Sequence, residues 1–323
     1  MKNFLVINTS FFGDTLLTDP LCRNIKMTYP EAKIVFIVNK PFYEVAKYLD
    51  GVDEVVPFDK KGKHHGIKGA WHFYKQYKDK FSQGFDAAFI IYGNERNIIL
   101  AKLFGAKKIY AQNTGLINIL LSNPKNIDYH QITKVQDQNS ILWEQYTHKN
   151  IQILPMKYNP PQVAYDKANK LLPQEKKYIG ICAVSKKKAK DMPLGTCIEL
   201  INKLKSEDRT VVLLGAGKTS EDYIAELVEN NCTEKDFINL VNKTSISELA
   251  AVLAKCEALI SVDTGTMHLG LAMNVPTLCL FYIATQEHLA KWAPTDIYNC
   301  KVITYGFLTD NILDKLHELI RLG

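Results

Sequence analysis

No apolar run in this 323-residue chain approaches the ~20 residues that a membrane-spanning helix needs, so no transmembrane segment is expected. The first residues enter a strand directly, without a leader pattern, and a cytoplasmic protein is expected from that. Cysteine never occurs as a CxxC pair. The seven thiols (Cys22, Cys182, Cys197, Cys232, Cys256, Cys279 and Cys300) are scattered among mostly apolar neighbours, which predicts reduced cysteines and no structural zinc. Neither HxxxH nor DxD spacing occurs, so no metal site is expected. No GxGxxG follows any expected strand, which disfavours a dinucleotide-dependent oxidoreductase.

The charge that is present is unevenly placed. Of a net charge of +6, all of the excess lies in residues 1–150, which hold 20 Lys and Arg against 14 Asp and Glu. An acidic partner for that half is one reading and ordinary lysine-rich composition is the other. Short β-branched runs at residues 4–8, 33–38, 54–58, 87–92 and 108–111 alternate with amphipathic stretches, the last of them at 134–147 with Trp143 on its apolar face. Pro155, Pro160, Pro161 and Pro173 then punctuate the chain, and the alternation restarts at residue 178. This pattern predicts two doubly wound α/β domains facing each other across a cleft: 1–155, a linker at 156–175, and 176–305. A closing amphipathic helix falls within 306–323. Ligands of such sheets sit at the carboxyl ends of strands.

The most informative stretch is residues 258–281, a complete βαβ unit. Its loop, Asp263-Thr264-Gly265-Thr266, has N-cap chemistry, and a helix starting there presents unpaired N–H groups to an anion such as phosphate; the plainer alternative is a simple cap. Gly215-Ala216-Gly217-Lys218-Thr219 is not a P-loop, because the position that needs the first glycine is Val212, inside a strand. Glu221 just beyond it is placed either to accept hydrogen bonds from a ribose or to act as a first-turn helix carboxylate. Gly13-Asp14 follows the first strand, and Asp14 is read as a general base or as a helix cap. The run Lys186, Lys187, Lys188 and Lys190 follows the strand at 178–183 and is read as a pyrophosphate contact or as a solvated face. The His64-His65 pair is assigned to the basic face of the first half rather than to a metal site.

These motifs, in their order, resemble the heptosyltransferases of lipopolysaccharide core assembly, glycosyltransferase family 9, which have the GT-B fold. The resemblance rests on Ile7-Asn8-Thr9-Ser10-Phe11-Phe12-Gly13-Asp14-Thr15-Leu16-Leu17-Thr18-Asp19-Pro20, on Val52-Asp53-Glu54-Val55-Val56-Pro57-Phe58-Asp59, on Ala189-Lys190-Asp191-Met192-Pro193, and on Asp263-Thr264-Gly265-Thr266-Met267-His268-Leu269. It implies inverting transfer of a heptose from ADP-heptose, a donor substrate rather than a cofactor, to a phosphate-rich and carboxylate-rich inner-core glycolipid. The work would be done at the cytoplasmic face of the inner membrane, without metal or nucleic acid. Asp14 would be the catalytic base. Ser185, Lys186, Lys190, Glu221, Asp263, Thr264, Gly265, Thr266 and His268 would hold the donor, and Ser10, Gly13, Lys60, Lys61, Lys63 and Lys68 the acceptor. The resemblance also implies that the closing helix packs back on the first domain. The chain departs from many relatives at Phe281-Tyr282-Ile283-Ala284-Thr285, where Phe-Gly-Pro-Thr is common, and at Met192, where Trp is common. Another nucleotide sugar or acceptor, and a non-catalytic nucleotide-binding module of the same fold, are the alternatives.

Overall fold

The computed structural model describes residues 1–91, 95–111, 120–122, 134–173, 176–233 and 235–322. The chain divides into two compact units, Met1–Lys157 and Tyr158–Gly323. In the first, strands β1 (Asn3–Asn8), β2 (Lys33–Asn39), β3 (Glu54–Phe58), β4 (Ala87–Ile90) and β5 (Ile109–Ala111) form one sheet in the order β3-β2-β1-β4-β5. Every pairing is parallel. The helices are α1 (Phe12–Leu16), α2 (Asp19–Thr28), α3 (Tyr43–Ala46), α4 (Gly66–Tyr77), α5 (Glu95–Leu103) and α6 (Val135–Thr147).

Both faces of this sheet are covered, which explains why its strands read as unbroken apolar runs. Leu5 and Ile7 enter one core with Phe58, Phe73 and Phe104. On the other face Trp143 of α6 is fully buried and packs edge-on against Phe4, Tyr29 and Phe89, with its indole N–H donating to Thr28 Oγ1 at 3.3 Å. The stretch around Pro20 forms two helices, α1 and α2. Pro20 lies in the first turn of α2, where its missing N–H costs no hydrogen bond. His64 is not part of a basic face. It is buried beside Phe58 and Phe73, and its Nδ1 accepts the Asp59 N–H at 2.9 Å. Tyr92 and most of 113–133, read from the sequence as strand end and irregular chain, lie outside the described residues.

The second unit carries β6 (Lys177–Cys182), β7 (Arg209–Leu213), β8 (Phe237–Asn239), β9 (Cys256–Val262), β10 (Thr277–Leu280) and β11 (Cys300–Ile303) in the order β11-β10-β9-β6-β7-β8, again all parallel. Its helices are α7 (Gln162–Leu171), α8 (Leu194–Ser206), α9 (Lys218–Glu229), α10 (Ile246–Leu253), α11 (Gly265–Ala272), α12 (Gln286–Trp292) and α13 (Thr309–Leu322). A capping box opens α10: Ser245 Oγ accepts the Glu248 N–H at 3.3 Å, and Glu248 Oε2 accepts the Ser245 N–H at 2.7 Å.

Two expectations are corrected. The proline-punctuated stretch is not a bare linker, because it contains α7, which packs on α10 with Ala164 and Ala168 buried. The closing helix α13 packs within the second unit, against α8 and strands β9–β11. Its stripe of Ile312, Leu313, Leu316 and Leu319 lies in that unit's core, as an amphipathic helix does beside the nearest open sheet face. Among the described residues no helix is long and apolar enough to cross a membrane.

Replacing Trp143 by Ala removes the largest fully buried side chain of the first unit. The expected loss is about 3–5 kcal/mol, read as a lower urea midpoint, with a tryptophan-independent probe such as far-ultraviolet circular dichroism. An unchanged midpoint would contradict this packing.

Candidate functional site

A doubly wound sheet opens a crevice where strand order reverses, between two strands whose following loops diverge to opposite faces. In the second unit that point lies between β6 and β9. The loop after β6 is folded on itself. The Met192 N–H donates to Ala183 O at 2.8 Å, and Met192 is buried. Asp191 Oδ1 accepts the Ser185 N–H at 2.7 Å, and Ser185 Oγ donates to Lys187 O at 2.9 Å. A single 3₁₀ turn at Lys188–Lys190 then brings Lys190 back across the sheet edge. There its ammonium donates to Asp263 Oδ2, at the end of β9.

The Asp263 carboxylate also meets His288 Nε2 at 2.6 Å, and His288 Nε2 lies 3.3 Å from Lys190 Nζ. Burial pushes the Asp263 pKa up, but the hydrogen bonds from Lys190 and His288 outweigh it and hold the carboxyl below its usual range. Helix α11 starts immediately beyond. Thr264 is its N-cap, with Oγ1 accepting the Thr266 N–H at 3.1 Å. Gly270 lets this helix lie close to the sheet, since a Cβ there would come within 2.6 Å of Leu259 Cδ2 and 2.9 Å of Thr277 Oγ1. His268, one turn in, is buried, and its Nδ1 has no hydrogen-bond partner among the described residues. Burial lowers its pKa to about 4, so at neutral pH it is an uncharged imidazole.

The first unit reverses strand order between β1 and β4. Asn8, at the end of β1, donates to Asp14 O at 2.8 Å and to Thr18 Oγ1 at 2.9 Å, which anchors the start of α1 under the sheet edge. The Asp14 carboxylate is largely buried and accepts the Phe11 N–H at 3.0 Å. It therefore does cap α1, as the plainer sequence reading had it. Lys60 reaches over the same loop, donating to Thr9 O and lying 5.5 Å from the Phe11 ring centroid. Arg96, at the start of α5, donates to Thr9 Oγ1 at 3.3 Å and packs on the Phe58 ring at 4.8 Å. It has no carboxylate partner among the described residues, its Nε is buried without a hydrogen bond, and burial lowers its pKa.

The model of glycosyltransferase family 9 (heptosyltransferase) matches residues 82–307 of this chain. The chain belongs to glycosyltransferase family 9. It is thus a glycosyltransferase enzyme with the GT-B fold. The chain is 23% identical to lipopolysaccharide heptosyltransferase 2 of Escherichia coli, covering 86% of this chain and 82% of that protein. A family 9 glycosyltransferase of Veillonella parvula superposes with a TM-score of 0.88 at 19% identity, covering 100% of this chain and 98% of that one. The E. coli ADP-heptose lipopolysaccharide heptosyltransferase II superposes with a TM-score of 0.82 at 19% identity, covering 100% and 99%.

Within this family 9 chain the sequence-based residues separate into three groups. Lys190, Asp263, Thr264, Gly265, Thr266 and His268 come together at one sheet edge. Ser185 is near them, but its N–H and hydroxyl are engaged inside the loop, and Lys186 is exposed. Glu221 opens α9, and its carboxylate accepts from Asn242 Nδ2 at 2.8 Å; Asn242 in turn accepts the Gly217 N–H at 2.7 Å. On the first unit Ser10, Gly13, Asp14 and Lys60 share the β1 loop region, while Lys61, Lys63 and Lys68 are exposed on the turn before α4 and on its first turn. Sequence reasoning missed Asp191, His288 and Arg96. The usable signals were a carboxylate beside Lys190, a histidine after the altered 281–285 loop, and an arginine following a strand end.

A buried neutral histidine makes stability depend on pH. Between pH 6.5 and 4 the unfolded chain protonates His268 and the folded chain does not, so acidification favours unfolding by up to about 3 kcal/mol. His268→Gln removes that contribution. Melting temperatures measured from pH 7 to 4.5 are expected to fall less steeply in the variant, and parallel curves would show that His268 is not the group concerned.

Proposed function

We propose that the protein transfers a heptose from ADP-heptose to an inner-core sugar of a lipopolysaccharide or lipooligosaccharide acceptor, with inversion at the anomeric carbon. Family membership and the lipopolysaccharide heptosyltransferases among its relatives support the substrate class. The observation that carries the donor half is the Lys190–Asp263 contact at the β6/β9 reversal, beside the N-terminus of α11. A cation and a helix N-terminus at a topological switch point suit a diphosphate.

In this reading the acceptor hydroxyl attacks the anomeric carbon from the face opposite the nucleotide. Its proton passes to the Asp14 carboxylate, and the bond from the anomeric carbon to the β-phosphate oxygen breaks, with the electron pair leaving on ADP. Lys190 and the N–H groups of α11 neutralise the charge developing on that leaving group, the role that fixed charges and dipoles serve best in a water-poor site. Asp263 and the uncharged His268 are assigned to the sugar hydroxyls, to which a carboxylate can offer acceptors and an imidazole a donor or an acceptor. No metal or cofactor enters this scheme. Arg96 and Lys60 beside Thr9, with Lys61, Lys63 and Lys68 further out, are assigned to the acceptor's phosphates and carboxylates. A half-buried guanidinium is costly unless an anion completes it, and Arg96 has no carboxylate partner among the described residues. The anionic acceptor would place the enzyme peripherally at the cytoplasmic face of the inner membrane.

Two measurements test this. Calorimetric titration with ADP, UDP and GDP is expected to show ADP selectivity, with Lys190→Ala weakening ADP about 10–100-fold. Preference for UDP or GDP would keep the transferase and replace the donor, and no nucleotide binding would favour the binding-module reading. Asp14→Asn is expected to lower kcat by about 10²–10⁴-fold with the Kd for ADP nearly unchanged. Turnover at the wild-type rate would show that another group takes the proton.

A further inference from the structure

One member of the donor cluster has no part in the reaction scheme. His288 lies in α12, and its N–H is capped by Thr285 Oγ1 at 3.2 Å. The helix follows the segment Phe281-Tyr282-Ile283-Ala284-Thr285. The His288 imidazole reaches the same carboxylate oxygen of Asp263 that Lys190 holds. The side chains of Asp263, Lys190 and His288 are only 10%, 15% and 21% exposed, so solvent screens their charges weakly. One buried anion thus has two potential counter-ions.

That arrangement has a consequence when a diphosphate arrives. Lys190 donating to Asp263 forms a neutral pair whose ammonium is already committed. A diphosphate brings two or more negative charges to Lys190 and draws it away from the carboxylate. Asp263 would then face an anion with its cation withdrawn, an expensive state for a buried charge. We propose that His288 is the counter-ion Asp263 keeps when Lys190 turns to a nucleoside diphosphate, so that nucleotide binding is coupled to protonation of His288. The inference rests on the assignment of Lys190 to the diphosphate made above. With Nε2 carrying the hydrogen that Asp263 accepts, the incoming proton enters at Nδ1. No bond other than N–H is made.

The groups facing His288 are consistent with that role. Asp263 comes from the end of β9, Lys190 from the loop after β6, and the Phe281 ring from the end of β10 at 5.9 Å. On its own helix Glu287 and Lys291 pair with each other at 3.3 Å near the surface. His268, the other nearby imidazole, stays uncharged at neutral pH because it is buried. Adding the diphosphate's negative charge beside this cluster favours a cation at His288.

The test is calorimetric titration of the whole protein with ADP, and with UDP and GDP alongside, in Pipes and in imidazole buffer at pH 7. The two buffers differ in ionisation enthalpy, so the difference in observed heat counts protons. The nucleotide's own ionisation is common to all variants and cancels between them. The wild type is expected to take up about half to one proton more than His288→Gln. Its affinity should rise about three- to tenfold from pH 8 to 6, while the variant's profile is flatter by that amount. A second variant, His288→Arg, supplies a permanent cation. It should bind at pH 8 at least as tightly as the wild type, also without the extra proton, a rescue that a merely structural role for the imidazole would not give. Equal proton uptake in wild type and His288→Gln overturns the inference while leaving the donor reading intact. Absence of binding by all three nucleotides overturns the donor reading and this inference together.

Discussion

A carboxylate that is nearly out of water, Asp263, constrains the second unit's active edge more than any other group. Left unpaired there it would cost several kcal/mol. The chain meets that cost by converging three segments on it: the end of β9 that carries it, the loop after β6 that delivers Lys190, and α12 that delivers His288. The fold of the β6 loop follows from the same need. Met192 is buried and Asp191 holds the Ser185 N–H, so the 3₁₀ turn between them can present Lys190 in one place only. The charge cluster is therefore built into the strand order rather than hung on a mobile surface.

The two units solve one problem with different chemistry. Each places its polar residues where strand order reverses, which is where a parallel sheet leaves space between diverging loops. The second unit pairs its cation internally and adds a helix N-terminus. The first leaves Arg96 without a carboxylate partner among the described residues, resting on the Phe58 ring and the Thr9 hydroxyl, and adds Lys60 over the same loop.

The two imidazoles near Asp263 differ in their surroundings. His268 is buried far enough that charging it is unfavourable, so it serves as a fixed neutral hydrogen-bonding group. His288 is more exposed and touches the Asp263 carboxylate. Two histidines twenty residues apart in sequence thus differ in role because one points into α11's packing and the other along the sheet edge.

Much of this was legible in the sequence because it is local. The apolar runs, the capping box at Ser245, the Thr264 cap and the tryptophan on the apolar face of α6 all follow from spacing within a few residues. The family resemblance likewise drew attention to Lys190, Asp263 and His268, which the structure brings close together. What spacing could not decide is which distant groups share an environment. Whether Asp14 caps its helix, whether α13 covers the first sheet or the second, and whether 156–175 is a tether or a packed helix all depend on contacts made after collapse. His64 looked basic beside its lysines and is instead an aromatic-packed core residue, because one turn of chain carries it under Phe73. Arg96 and His288 carried no motif at all. Arg96 has no carboxylate partner among the described residues and His288 shares one with Lys190, and both are properties of three-dimensional neighbourhood, where burial sets the cost of charge.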